Sequence, residues 1–329
     1  MEIDLSRSVD GSDRTLGRRR FLALSGLAAG GTALGGLDAV AAAPTAERLF
    51  RTPRWSSFRS ILPTGDGYLL TGIRTNSEDE QVGWAVLLDG DLDVVWNRAY
   101  LSPPHLEETD SGEDHSGLEF ALPAGNGFLL VGWWHTLGSD SRYGWVTRVG
   151  ADGIPWWSRV YNRDGVNSFR DDFADGVVTD DGFVLVGRTI GSEYLDGRNG
   201  DGWVVEIDRR GRVRRQRAYD PAGTSNGFSN DGRHAEFNAV TRVGGGYLVV
   251  GEASPDGPTR STNTAAWALL IDEDGDPRRS RTYRLDRQRD NEFRDVITVD
   301  DGFLVAGVAG EDENVSELHD YEMRGRSWA

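Results

Sequence analysis

Apolar residues along this chain gather into one short phrase, glycine, aromatic, a run of aliphatic residues, glycine, which recurs five times. It reads Gly67-Tyr68-Leu69-Leu70-Thr71-Gly72, then Gly127-Phe128-Leu129-Leu130-Val131-Gly132 and Gly182-Phe183-Val184-Leu185-Val186-Gly187. The last two copies are Gly246-Tyr247-Leu248-Val249-Val250-Gly251 and Gly302-Phe303-Leu304-Val305-Ala306-Gly307. Nine residues before each opening glycine stands an apolar residue: Phe58, Leu118, Phe173, Phe237 and Phe293. Between them lie turn residues such as Thr64-Gly65-Asp66 and Asp180-Asp181, which tolerate the backbone of a tight hairpin. The pattern predicts a strand, a short turn and a second strand. That second strand is apolar at consecutive positions, so both of its faces should be buried.

A second block follows each phrase after a loop of variable length. Trp84, Trp145, Trp203 and Trp267 stand five residues before Asp89, Gly150, Asp208 and Asp272, which stand eleven before Tyr100, Tyr161, Tyr219 and Tyr283. Turn residues such as Asp152-Gly153 and Arg209-Arg210-Gly211 separate the two halves, so this block predicts strands three and four. A unit of four meandering strands repeated around a circle is the blade of a β-propeller. The fifth unit lacks its Arg-x-Tyr ending, and Arg48-Leu49-Phe50 reproduces that ending ahead of Phe58. The expected fold is therefore all-β: a five-bladed propeller of four-stranded antiparallel blades, the N-terminal strand completing the last blade. Residues that recur in every copy, the tryptophan and tyrosine ladders above all, are assigned to packing between blades. Trp96 and Trp157 give way to Arg215 and Arg279 at the same place, as suits a partly exposed outer strand.

Function should then sit where the copies differ. The turns inside each hairpin are short and uniform, whereas the loops between strands two and three and between blades vary, and both variable sets leave the disc on one face. Residues next to the innermost strand on that face ring the central channel: His115, Glu119, Asp171, Asp172, His234, Glu236, Asn291 and Glu292. Acids stand just before the inner aromatic in three blades (Asp172, Glu236, Glu292), against Ser57 and Gly117 in the other two, so negative charge should collect on one side of the channel mouth. Converging carboxylates suit Ca2+, which takes about six to eight oxygens, or the acid and base of a glycosidase; solvated acids that only hydrate the surface fit the same pattern. Phe169, Tyr194 and Phe228 in the loops could stack on a sugar or plug the loops locally. The stretches 196–201 and 272–276 imitate Ca2+ loops without the acid expected at the twelfth position. The His residues show no zinc spacing, and no nucleophile elbow or phosphate loop occurs.

Composition narrows the setting. The chain of 329 residues carries a net charge of −17, no Cys, and 36 basic residues that are all Arg. Without Cys there is no disulfide, thiolate metal site or thiol nucleophile. Without a basic stripe there is no footprint for nucleic acid. An acidic chain free of Lys resembles the proteins of salt-loving archaea, in which salt screens carboxylate repulsion. Residues 1–43 form the expected leader: Arg18, Arg19, Phe21 and Leu22 resemble a twin-arginine export motif, followed by a glycine-interrupted apolar stretch too short to span a bilayer. The remainder, 44–329, is expected to be one propeller domain, extracellular, monomeric and without a membrane span.

The combination Asp-Gly-Phe-x-Leu-x-Gly, Gly-Trp, Asp-x-x-Gly over residues 48 to 324 resembles repeat-type propellers of the quinoprotein-like superfamily, including uncharacterised exported haloarchaeal proteins. That resemblance implies architecture; five blades and the lack of vicinal cysteines separate the chain from the quinoprotein dehydrogenases. The functional expectation is an exported, non-catalytic propeller that binds a ligand or partner, a glycan among the candidates, on its variable-loop face. The alternative is a polysaccharide-acting glycoside hydrolase that uses channel-mouth carboxylates. No cofactor is expected beyond Ca2+ as the candidate ion.

Overall fold

The computed structural model describes residues 47–101, 114–136, 141–163, 168–191, 200–221, 223–225, 234–254, 264–284, 291–300, 302–309 and 319–321. The export motif, Tyr194, Phe228 and the first imitation Ca2+ loop up to residue 199 lie outside them. Within them the chain is all-β, and its strands form five antiparallel sheets. Blade one is β1 (Ser56–Pro63), β2 (Gly67–Thr75), β3 (Gln81–Asp89) and β4 (Val94–Tyr100). Blade two is β5 (Asp114–Pro123), β6 (Gly127–Thr136), β7 (Tyr143–Gly150) and β8 (Pro155–Tyr161). Blade three is β9 (Ser168–Val178), β10 (Gly182–Gly191), β11 (Asp201–Asp208) and β12 (Val213–Asp220), with a short β13 (Gly223–Ser225) on its outer edge. Blade four is β14 (Ala235–Val243), β15 (Gly246–Ala253), β16 (Ala265–Asp272) and β17 (Pro277–Tyr283), and blade five is β18 (Asn291–Val299), β19 (Gly302–Ala309) and β20 (His319–Tyr321). No described helix is long and apolar enough to cross a membrane.

Each sheet is a simple meander, and the first strands of blades one to five contact one another in succession, which places them innermost. Register separates the two faces of the disc: Gly67 pairs with Asp89, Gly127 with Gly150 and Gly246 with Asp272. The short turns thus share one end, and the variable loops share the other.

The recurring glycine at the end of the phrase has a steric cause. Every inner strand carries a β-bulge just past its aromatic or leucine, at Phe58/Ser60, Leu118/Phe120, Phe173/Asp175, Phe237/Ala239 and Phe293/Asp295. The bulge drives a backbone carbonyl onto the facing strand, and a Cβ on Gly72, Gly132, Gly187, Gly251 or Gly307 would collide with the carbonyl of Ser57, Gly117, Asp172, Glu236 or Glu292.

Blades are joined by the aromatic ladder. Trp84, Trp145, Trp203 and Trp267 are fully buried, and Phe58, Phe173 and Phe237 stack on the tryptophan of their own blade at 4.2, 4.9 and 4.8 Å between ring centres. The tyrosines ending blades two, three and four meet the next blade's phenylalanine: Tyr161 meets Phe173, Tyr219 meets Phe237 and Tyr283 meets Phe293. In the first three blades the tyrosine hydroxyl donates to a turn carbonyl of the next blade: Tyr100 to Gly153, Tyr161 to Gly211, Tyr219 to Gly275, at 2.8, 2.8 and 2.6 Å. Those glycines hold φ values of 75°, 74° and 76°, where a side chain is strained.

The closure expectation needs correction. Residues 47–50 form no strand, and among the described residues the last blade has three strands. The side chains nevertheless take the places the repeat assigns them. Phe50 meets Phe58 edge-on at 5.4 Å and also packs on Trp84. Phe50 has no hydroxyl to give, and Arg48 instead donates to the carbonyl of Leu92, the residue that replaces the turn glycine at φ 64°. The N-terminal segment therefore packs on blade one through its side chains, and, among the described residues, 47–50 make no backbone pairing with β20.

Candidate functional site at the channel mouth

The bulge sets the site. The residue before each inner aromatic or leucine pairs with the residue after the second glycine of the phrase: Ser57 with Ile73, Gly117 with Trp133, Asp172 with Arg188, Glu236 with Glu252, Glu292 with Val308. All ten positions lie at the variable-loop end of the two innermost strands. Blade one is uncharged there, with Ser57 and Ile73, blade two carries Trp133, and blades three to five carry a continuous belt of charge.

The belt begins at Trp133, whose indole donates to Glu119 Oε1 at 3.0 Å while the Arg142 guanidinium lies 4.2 Å from the ring centre. Arg142 Nε pairs with Asp172 Oδ1 at 2.6 Å, Arg170 Nε donates to Asp172 Oδ2 at 2.6 Å, and Arg188 Nη2 reaches Oδ2 at 3.5 Å. Burial alone would raise the Asp172 pKa, but Arg142, Arg170 and Arg188 outweigh it and hold the carboxyl at about 2. The same burial lowers the Arg142 pKa. Arg188 spans two blades, since its Nη1 donates to Glu236 Oε2 at 2.9 Å, and its pKa is raised because Glu236, Asp172 and Glu252 overcome its burial.

Beyond Arg188 the balance tips to acid. His234 Nε2 lies 3.1 Å from Glu252 Oε1 and 4.0 Å from Glu236 Oε2, and Thr264 Oγ1 donates to Glu252 Oε2 at 2.9 Å. Burial works to raise the Glu252 pKa, yet His234, Thr264 and Arg188 keep it below the ordinary value. Glu292 is different. Burial first, then the negative charge of Glu252 and Glu236, push its carboxyl up to about 7 against the pull of Arg294, which donates to it.

Among the residues singled out by sequence, Glu119, Asp172, His234, Glu236 and Glu292 join this belt. His115 sits beside it, accepting from the Gln81 amide at Nδ1 (2.9 Å) and stacking on His135, which stacks on Trp133. Asp171 and Asn291 act between blades: the Asp171 amide donates to the Arg142 carbonyl, and the Asn291 amide to the Thr264 carbonyl. Negative charge is shifted from where three acids in a row placed it. Three arginines neutralise Asp172, and the surplus lies at blades four and five.

Sequence reasoning missed Trp133, Arg142, Arg170, Arg188, Glu252 and Thr264. One signal was available for three of them. The position after the second glycine reads Ile73, Trp133, Arg188, Glu252, Val308, which varies sharply beside a constant glycine. Apart from the belt, an open recess between blades three and four is lined by Val184, Arg215, Tyr247 and Glu273. It lies at the short-turn end, away from these charges.

No family model matches the chain, and no curated protein matches it. Among solved structures it is similar to puromycin hydrolase, at 13% identity and a TM-score of 0.43, over 82% of this chain and 39% of that one. The chain thus spans well under half of that protein's length.

Proposed function

We propose that this chain is an exported, non-catalytic propeller that binds a ligand on its variable-loop face, over the charged belt at the channel mouth. The observation that carries this reading is the interlocking of opposite charges along the belt. Asp172 is held by three arginines, Arg188 by two acids, and Glu252 by His234 and Thr264. Such a network holds its side chains rigidly and recognises by shape and charge. A glycan or a polar face of another protein fits this mixture of arginine and carboxylate. The twin-arginine leader supports export to the cell exterior, and the acidic surface supports a high-salt setting.

A second reading rests on Glu292. A carboxyl raised to about 7 by burial and by the neighbouring Glu252 and Glu236 has the character of the acid in a glycosidase pair. One experiment separates the two: retention on a glycan panel in high salt, run with chromogenic glycosides on the wild type and on Glu292→Gln. Retention that survives Glu292→Gln and falls with Arg188→Met, with no glycoside cleaved, supports binding. Turnover by the wild type, bell-shaped in pH and abolished in Glu292→Gln, supports the hydrolase. Absence of both retention and turnover would refute a glycan ligand under both readings.

A further inference from the structure

Blade four alone, among the described blades, opposes two acids across its innermost strand pair. Glu236 on β14 and Glu252 on β15 are direct register partners, where the other blades place Ser57/Ile73, Gly117/Trp133, Asp172/Arg188 and Glu292/Val308. Like charges directly opposite are unfavourable in a sheet unless something bridges them. Arg188 answers part of this charge through Glu236, but it is shared with Asp172. The group placed against both acids is His234, about nine-tenths buried, whose ring makes its hydrogen bond through Nε2 to Glu252.

We infer that His234, Glu236 and Glu252 form a binding site for a divalent transition metal ion, with His234 Nε2, Glu252 Oε1 and Glu236 Oε2 as the protein ligands. The three residues each offer a donor atom within 4.8 Å of the others. Nitrogen and oxygen ligands at about 2.0–2.2 Å from a tetrahedral ion stand about 3.4 Å apart. The observed separations of 3.1 and 4.0 Å from His234 Nε2 bracket that value, so closure around an ion needs only small side-chain shifts. Neighbours hold the two carboxylates, while His234 Nδ1 is buried without a hydrogen-bond partner. Thr264 holds Glu252 by Oε2 and leaves Oε1 directed at the imidazole, and Arg188 orients Glu236. Three protein ligands would leave a fourth position open at the channel mouth. An imidazole in the set selects ions such as Zn2+ or Co2+ over Ca2+, which prefers a cage of oxygens. This differs from the Ca2+ expectation drawn from acids alone, and it stands whether or not the face binds a glycan.

The test is metal titration of chelator-stripped protein at fixed high salt, using Zn2+, Co2+ and Ca2+ singly, read by melting temperature and by the visible spectrum of Co2+. Wild type should show a saturable rise with Zn2+ and Co2+ and little with Ca2+, and bound Co2+ should absorb as a low-symmetry nitrogen–oxygen complex. Glu252→Gln keeps an acceptor for Thr264 and His234, so it should fold; it should bind on the order of tenfold or more weakly, as should His234→Gln. The inference is overturned by an unmoved melting temperature with a Co2+ spectrum unchanged from the aqueous ion. It is equally overturned by a rise that persists in both variants, or one that Ca2+ reproduces.

Discussion

Replacing Tyr161 with Phe removes one oxygen from the joint between blades two and three. The Tyr161 hydroxyl is buried and donates at 2.8 Å to the Gly211 carbonyl, itself at a buried turn. The lost hydrogen bond and the orphaned carbonyl together should cost about 1–2 kcal/mol. Tyr219 offers an internal control, because its acceptor, the Gly275 carbonyl, also receives Arg217 Nη1 at 3.2 Å and keeps a donor when the hydroxyl is gone. Tyr219→Phe should therefore cost about half as much. Burial drives both phenol pKa values up, so the hydroxyls remain donors at any pH used. The assay is reversible urea denaturation at constant high salt with matched slopes, backed by melting curves, where roughly 2–4 °C is expected for each kcal/mol. A Tyr161→Phe protein within about 0.3 kcal/mol of wild type, or a Tyr219→Phe protein that loses more, would refute the account of these hydroxyls as the bonds between blades.

The remaining expectations concern acids, a glycine and an indole. The Glu292 carboxyl titrates near 7 in the fold against an ordinary 4.5, so its ionisation penalises the native state; the penalty is absent below the ordinary value, grows as pH rises, and is complete above 7. Glu292→Gln should match wild type near pH 4.5 and exceed it by up to roughly 3 kcal/mol at pH 8, as pH-dependent denaturation will show. Asp172, held at about 2, contributes the opposite way: its stabilisation is present above its ordinary 3.8 and is lost as pH falls through 2, so Asp172→Asn should remove the steepest part of the acid transition. Gly187→Ala should cost roughly 2–4 kcal/mol, because its Cβ strikes the Asp172 carbonyl, whereas Gly65→Ala, with nothing within 4 Å, should be silent in the same melting assay. The Trp203 indole N–H is buried without a hydrogen-bond partner, while those of Trp145 and Trp267 donate to Ser158 and Ser280; Gln216, at the matching place, donates to the Arg163 carbonyl instead. Gln216→Ser should supply the acceptor and move the Trp203 N–H proton resonance downfield toward the other two, and an unmoved resonance would show that no bond forms.

Everything that recurs was readable from sequence alone. The hairpin glycines, the Trp-to-Tyr spacing and the alternation of turn and strand are local chemistry repeated at a fixed offset, and repetition cancels the ambiguity of any single copy. Blade number, strand order and the packing role of the ladders follow from it. Tertiary structure decided what depends on contacts between copies. Arg142 lies in a loop before β7 and Arg188 at the end of the phrase, and nothing in their spacing from Asp172 tells that all three meet. Charge at the channel mouth is a sum over neighbouring blades, so a row of acids read along the chain overstates it where arginines arrive from elsewhere. Glu252 was hidden for the same reason: it belongs to the second strand of its blade, and only the bulge-shifted register sets it opposite Glu236. Strand order is local and legible in sequence, whereas register past a bulge and electrostatics around the ring are set only once the strands and blades are in place.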